Sequence, residues 1–175
     1  MKKIDDKVKI SDAVANSLYY SKETGESEKL VAYLSQDNQI LKVEESFSGK
    51  PEENIGKVTY YLNQTKPLVT IEKFEDKSNP NELKFVERVS YYNDNGEVKH
   101  TKEKRVNYEE ELANVEYQTV DLVSVSTDKI FKILNQKDEY QTTFQGLVET
   151  ETANYLIVGE PKEDGFTSAL KIEFV

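Results

Sequence analysis

The chain has 175 residues, 37% of them hydrophobic and 32% charged, and its 33 acidic and 23 basic side chains give a formal charge of −10. That length supports one domain with a substantial core. The acidity argues against direct binding to nucleic acid, whose affinity comes mainly from Lys and Arg displacing counterions, and against attraction to an anionic membrane surface. Without Cys there is neither disulfide nor thiol chemistry, and 11 Tyr and seven Phe among many Val, Ile and Leu favour strands over disorder.

Residues 1–27 are polar apart from one apolar patch. Val14 and Leu18 are four apart, as are Ala15 and Tyr19, which predicts one helical stripe with Ser11 or Asp12 as N-cap. Lys22 to Glu28, around Gly25, reads as a loop. The basic start Met1-Lys2-Lys3 has no apolar stretch behind it, so it does not read as a signal peptide. No apolar run approaches the ~20 residues of a membrane span. As written, the chain is expected to be cytoplasmic, or exported if a native leader once preceded Met1.

Residues 28–106 hold a threefold repeat. Tyr33-Leu34-Ser35-Gln36 leads to Ile40, Tyr61-Leu62-Asn63-Gln64 to Leu68, and Tyr91-Tyr92-Asn93-Asp94 to Val98, with offsets of 28 and 30 residues. Each unit reads as strand, polar turn, strand. Val58, Tyr60 and Leu62 alternate with Thr59 and Tyr61; Phe85, Val89 and Tyr91 share a face. Asn95-Gly96 supplies the residues of a tight primed turn. The return strand from Val98 to Arg105 is almost wholly polar and reads as an edge strand protected by charge. The links Ser48 to Gly56 and Asp76 to Glu82 are longer than the turns, which suits a meandering antiparallel sheet or a half-barrel.

Residues 107–139 change character. Tyr108 to Val115 is a weak helix or turn and Val120 to Val125 is strand-like. Ser126-Thr127-Asp128 caps a short helix, Lys129 to Asn135, whose buried side holds Ile130, Phe131 and Leu134. Strands follow at Tyr140 to Thr150, Ala153 to Val158 and Phe166 to Val175, the last two joined through Gly159 to Gly165. Phe174 and Ile172 face together, which places the C-terminus within the sheet.

The chemistry-bearing residues are sparse. His100 is a lone histidine in a polar strand, without the company a zinc site or general base requires. Asn93-Asp94-Asn95-Gly96 resembles a calcium loop, but the first and last ligand positions would fall on Tyr91 and Lys102, so it reads as a hairpin turn. Glu109, Glu110 and Glu111 are adjacent and cannot all face one cleft; they suit a solvated helix start. Lys99, Lys102, Lys104 and Arg105 are balanced by nearby carboxylates. No phosphate loop, nucleophile elbow or dinucleotide fingerprint is present. Tyr33, Tyr61 and Tyr91 occupy equivalent repeat positions and can line up across the sheet as an aromatic row.

The expected fold is α+β and β-dominated: a single domain, residues 1–175, with an antiparallel meander or half-barrel of roughly eight to ten strands built from repeated hairpins, and two short helices. The expected function is non-enzymatic binding or assembly with another protein through a sheet face or an acidic surface. Its sharpest form is an acidic inhibitor of a basic, nucleic-acid-binding protein. Tyr33, Tyr61, Tyr91, Glu109, Glu110 and Glu111 are the candidate binding residues. No catalytic residue, metal or cofactor is expected, and neither nucleic acid nor membrane as a direct partner. The alternative is a carrier of a small hydrophobic ligand in a closed or half-closed barrel.

Overall fold

The structure, a computed structural model, describes residues 1–8, 14–20, 27–35, 37, 39–48, 56–79, 81–135, 137, 144–150, 154–162 and 165–172. Its elements in chain order are α1 (Lys2–Val8), β1 (Val14–Tyr20), β2 (Ser27–Leu34), β3 (Ile40–Ser48), β4 (Gly56–Asn63), β5 (Lys66–Asp76), β6 (Lys84–Tyr92) and β7 (Val98–Val106). A 3-10 turn at Glu109–Ala113 follows, then β8 (Gln118–Val120), α2 (Asp128–Leu134), β9 (Phe144–Glu149), β10 (Asn154–Lys162) and β11 (Gly165–Ile172). All eleven strands form one antiparallel sheet in the order β8-β7-β6-β5-β4-β3-β2-β1-β11-β10-β9. The first eight run as a meander, and the C-terminal three add to it through β11 on β1. The sheet is open, with β8 and β9 at its ends.

The three expected hairpins are β2–β3, β4–β5 and β6–β7. Each shifts register by one residue just beyond its repeat tyrosine: at Tyr33/Leu34, Tyr61/Leu62 and Tyr91/Tyr92. The extra residue lies on the return strand, at Leu41, Leu68 and Lys99. Such a bulge bends the strand and increases its twist. The residues paired just beyond the shift are Ile40, Pro67 and Val98, so the alignment expected from sequence spacing holds at Ile40 and Val98 and slips by one at Leu68, where the turn is shorter. In the second hairpin Asn63 opposes Lys66 across Gln64-Thr65 alone. The others close over three residues, through Ser35 N donating to Gln39 O at 2.8 Å and Asn93 N donating to Glu97 O at 2.9 Å.

One face of the meander holds the main core. Leu30, Ala32, Val43, Val58, Tyr60 and Leu62 are buried there against Ile130 of α2, with Val125, Phe131, Ile133 and Leu134 packed around them. Val58, Tyr60 and Leu62 are the face that strand alternation in the sequence picks out. The other face carries a smaller cluster, Tyr61, Val69 and Val89, with Leu68 and Ile71, over which Ile4 of α1 packs. Gly56 sits where a β-carbon would lie 2.8 Å from the Lys73 carbonyl oxygen, so the approach of β4 to β5 requires glycine there.

Residues 121–127 run as a strap across the core face. Val123 N donates to Thr101 Oγ1 at 3.0 Å, and Ser90 Oγ donates to Val123 O at 2.8 Å. Val125 N donates to Tyr92 Oη at 3.0 Å, and Tyr92 Oη lies 3.2 Å from Thr70 Oγ1. Thr70, Ser90 and Thr101 are cross-strand partners and fully buried. The hydroxyls of Thr101, Ser90 and Tyr92 satisfy strap amides and a strap carbonyl that burial would otherwise leave unpaired, and Thr70 meets the Tyr92 hydroxyl from behind.

Several expectations are corrected. Val14–Tyr20 is a strand, not a helix: it pairs with β2 on one side and β11 on the other, and the helix of this region is α1. The proposed caps Ser11 and Asp12 lie outside the described residues. Strand β7 is not an edge, because β8 pairs with Thr101, Lys102 and Glu103. Asn95-Gly96 is not a two-residue primed turn: only Gly96 takes positive φ, at 85°, and Asp94-Asn95-Gly96 forms a three-residue loop. Of Val120 to Val125 only Val120 belongs to a strand; the rest is strap. Phe174 lies outside the described residues. No helix among the described residues is long and apolar enough to cross a membrane.

Candidate functional site

Tyr33, Lys42, Tyr61, Val69, Tyr91 and His100 are successive cross-strand partners on β2 to β7. Direct partners present their side chains to the same face, so the three repeat tyrosines form one row, interleaved by one residue from each return strand. The hairpin spacing, together with one bulge per hairpin, produces this alignment. The row lies on the face opposite the main core.

Its interior is the most enclosed part. Tyr61 and Val69 are buried, Tyr33 and His100 are half-buried, and Tyr91 is 36% exposed. Lys42 lies between two rings, 5.4 Å from the centre of Tyr33 and 5.6 Å from that of Tyr61. Its ammonium pairs with Glu44 at 2.8 Å and with Asp5 of α1 at 3.7 Å. Burial works against the charge, but the Glu44 hydrogen bond and the charges of Glu44, Tyr61 and Asp5 outweigh it and hold the Lys42 pKa above its ordinary value. Glu44 is also partly buried, yet its bonds to Lys42 and Lys57 hold its pKa down. Tyr61 Oη donates to Asp5 Oδ1 at 3.0 Å; burial first, then this bond, raises the phenol's pKa.

At the other end Tyr91 and His100 stack, with centroids 6.3 Å apart and planes 26° from parallel. Tyr117 flanks the row: its hydroxyl bonds Glu87, and Lys104 Nζ lies 4.5 Å from its ring centre. Lys73 closes this cluster with an ion pair to Glu87 at 2.7 Å. On β2 to β7 this face carries Lys29, Lys42, Lys57, Lys73, Lys102 and Lys104 against Glu44, Glu75 and Glu87. A strongly acidic chain thus presents a sheet face on which lysine prevails.

Glu109, Glu110 and Glu111 do not join the row. All three are exposed on the 3-10 turn, where Glu111 Oε2 accepts from Tyr108 N at 3.3 Å. The carboxylates of the core face are engaged internally. Glu45 accepts from Tyr60 Oη at 2.8 Å and meets Lys129 of α2 at 3.4 Å; Arg88 joins Glu103 at 2.8 Å and Glu72 at 3.5 Å. These contacts anchor α2 and cross-link β5, β6 and β7. Asn93 Oδ1 accepts from Asn95 N at 2.9 Å and Glu97 N at 3.0 Å, so it serves the hairpin turn. Among the described residues no group of three or more His, Cys, Asp or Glu is placed to hold a metal.

Sequence reasoning found the tyrosines but missed Lys42, Val69 and His100 as row members. Which residue faces each tyrosine depends on turn length and on the bulge. Comparisons with protein-family models, curated proteins and solved structures found no match to this chain.

Proposed function

We propose that this chain is a non-enzymatic protein-binding module that engages another protein through the row face of its sheet. The observation that carries this reading is the register-aligned row from Tyr33 to His100, ending in the stack of exposed Tyr91 on half-buried His100. Tyrosine gives large contact area at low entropic cost and recurs at the energetic centres of interfaces. Half-buried lysines around it supply orientation and on-rate.

The acidic-inhibitor version draws less support, because the face bearing the row is rich in lysine and Glu109, Glu110 and Glu111 stand apart from it. The carrier version, in a closed or half-closed barrel, draws less support because the sheet is open.

The test is affinity capture with the full chain, in parallel with a Tyr91→Ala/His100→Ala variant and a Glu109→Lys/Glu110→Lys/Glu111→Lys variant. The row reading expects a stoichiometric protein partner that the first variant loses and the second retains. Loss only with the charge-reversed variant, accompanied by steep weakening in salt, would transfer the function to the acidic surface.

A further inference from the structure

We propose that α1 is a displaceable occupant of the row face. It stands where a partner protein's segment docks, and that segment presents a branched apolar side chain followed directly by a carboxylate. This rests on the row face being the binding surface.

The seat is read from what fills it. Ile4 packs against the buried cluster of Tyr61, Val69 and Val89, and the next residue, Asp5, accepts from Tyr61 Oη at 3.0 Å and pairs with Lys42 at 3.7 Å. Through these two adjacent side chains α1 meets the row. Met1, Lys2 and Lys3 are exposed, and the Asp5 side chain itself retains 36% exposure. A seven-residue helix has no independent stability in water, so α1 depends on its tertiary contacts, this seat among them.

The net charge of α1 does not complement the face. Residues 1–8 contain three lysines and two aspartates, and on β2 to β7 the face carries six lysines against three glutamates. Two net-positive partners gain less from long-range attraction than oppositely charged ones do. A segment that keeps the Ile-Asp pair but replaces the flanking lysines with acids satisfies the same seat and adds that attraction. Lys102 makes no ion pair among the described residues and lies two positions along β7 from His100, next to the open end of the row. An acidic partner segment can extend from the α1 seat toward it.

The experiment uses the full chain and two synthetic peptides, followed by NMR. One peptide has the sequence of residues 1–8; the other carries Lys2→Glu, Lys3→Glu and Lys7→Glu. The acidic peptide is expected to bind at least tenfold more tightly. It should shift the amides of Tyr61, Val69 and Tyr91 and move the protein's own Ile4 signals to those of a free segment. Adding Asp5→Lys to the acidic peptide should abolish the effect. In the full chain, Ile4→Ser vacates the seat and should strengthen acidic-peptide binding several-fold.

No shifts at millimolar peptide in either protein would overturn the proposal, as would Ile4 amide exchange as slow as that of Tyr61. Intermolecular contacts between Ile4 of one copy and Tyr61 of another would replace the external partner with self-assembly. If the peptides fail while Tyr91→Ala/His100→Ala still loses the captured partner, displacement falls and the row reading stands.

Discussion

Lys42 and Tyr61 are direct cross-strand partners, and the ammonium of Lys42 serves two rings at once, Tyr61 at 5.6 Å and Tyr33 at 5.4 Å. The cation fixes both rings from strand β3 between them. Tyr91 has no such neighbour; its cross-strand partners are Val69 and His100. The enclosed half of the row is therefore held from several sides, and its open half is left accessible.

That division orders the effects of truncation. Tyr61→Ala removes a buried ring together with its bond to Asp5 and is expected to cost about 3–5 kcal/mol. Tyr33→Ala, at a half-buried ring, should cost about 1–2 kcal/mol, and Tyr91→Ala less than about 1 kcal/mol. Urea denaturation of the three variants measures the order. Equal small losses would mean that the α1 contact and the Tyr61 environment contribute little to folding.

The hairpins were legible because alternation and turn residues are local signals. Val58, Tyr60 and Leu62 announce one face of β4, and Gln64-Thr65 interrupts the pattern where the chain turns. Strand β1 was illegible for the opposite reason. The spacing of Val14 with Leu18 satisfies a helix, while the forces that make it a strand are pairings with β2 and with β11, about 150 residues away. Helix α1 carries only Ile4 and Val8 as apolar residues after Met1, too few for a periodic stripe. At the site, Tyr33, Tyr61 and Tyr91 were visible from repeat spacing. Lys42 and His100 were not, since one residue of turn length decides which side chain stands opposite.

The shorter second turn holds a local strain. Gln64 takes φ of 59°, the left-handed region that side chains with a β-carbon disfavour. Gln64→Gly is expected to stabilise the protein by up to about 1 kcal/mol, with the gain reduced by the greater freedom of glycine in the unfolded chain. Gln64→Val should destabilise it by a comparable amount. Thermal unfolding of both variants checks the sign: a loss on Gln64→Gly would show that the Gln side chain stabilises the turn more than its backbone strain opposes it.

Asp76 gives the clearest titration. Its carboxylate accepts from Ser78 N at 2.9 Å and bonds Arg105, and the backbone bond, ahead of the guanidinium, lowers its pKa from 3.8 to about 2. A depressed carboxylate pKa stabilises the fold above the unfolded value, and that contribution is lost as pH falls through about 2. NMR titration should therefore find Asp76 ionised well below pH 3.8. Arg105→Gln should return the midpoint only part of the way, because the Ser78 bond remains. A full return would assign the shift to the guanidinium alone.

The strap supplies the last test, because its position depends on hydroxyls that the core face could otherwise have replaced with methyl groups. Tyr92 Oη both accepts from Val125 N and meets Thr70 Oγ1, so Tyr92→Phe leaves a strap amide and a buried hydroxyl short of a partner. The expected cost is about 1–3 kcal/mol, larger than the net worth of one hydrogen bond because unpaired polar groups remain. Val125 leads into α2, whose Ile130 is fully buried in the main core, so a loosened strap weakens the attachment of that helix. Hydrogen exchange at Val123 and Val125 should accelerate in Tyr92→Phe, with Ile130 following. The β4 and β5 amides, held by their own ladder, should keep their protection relative to global unfolding. Faster exchange spread evenly over the sheet would mean that the hydroxyl ladder stabilises the whole domain rather than positioning the strap.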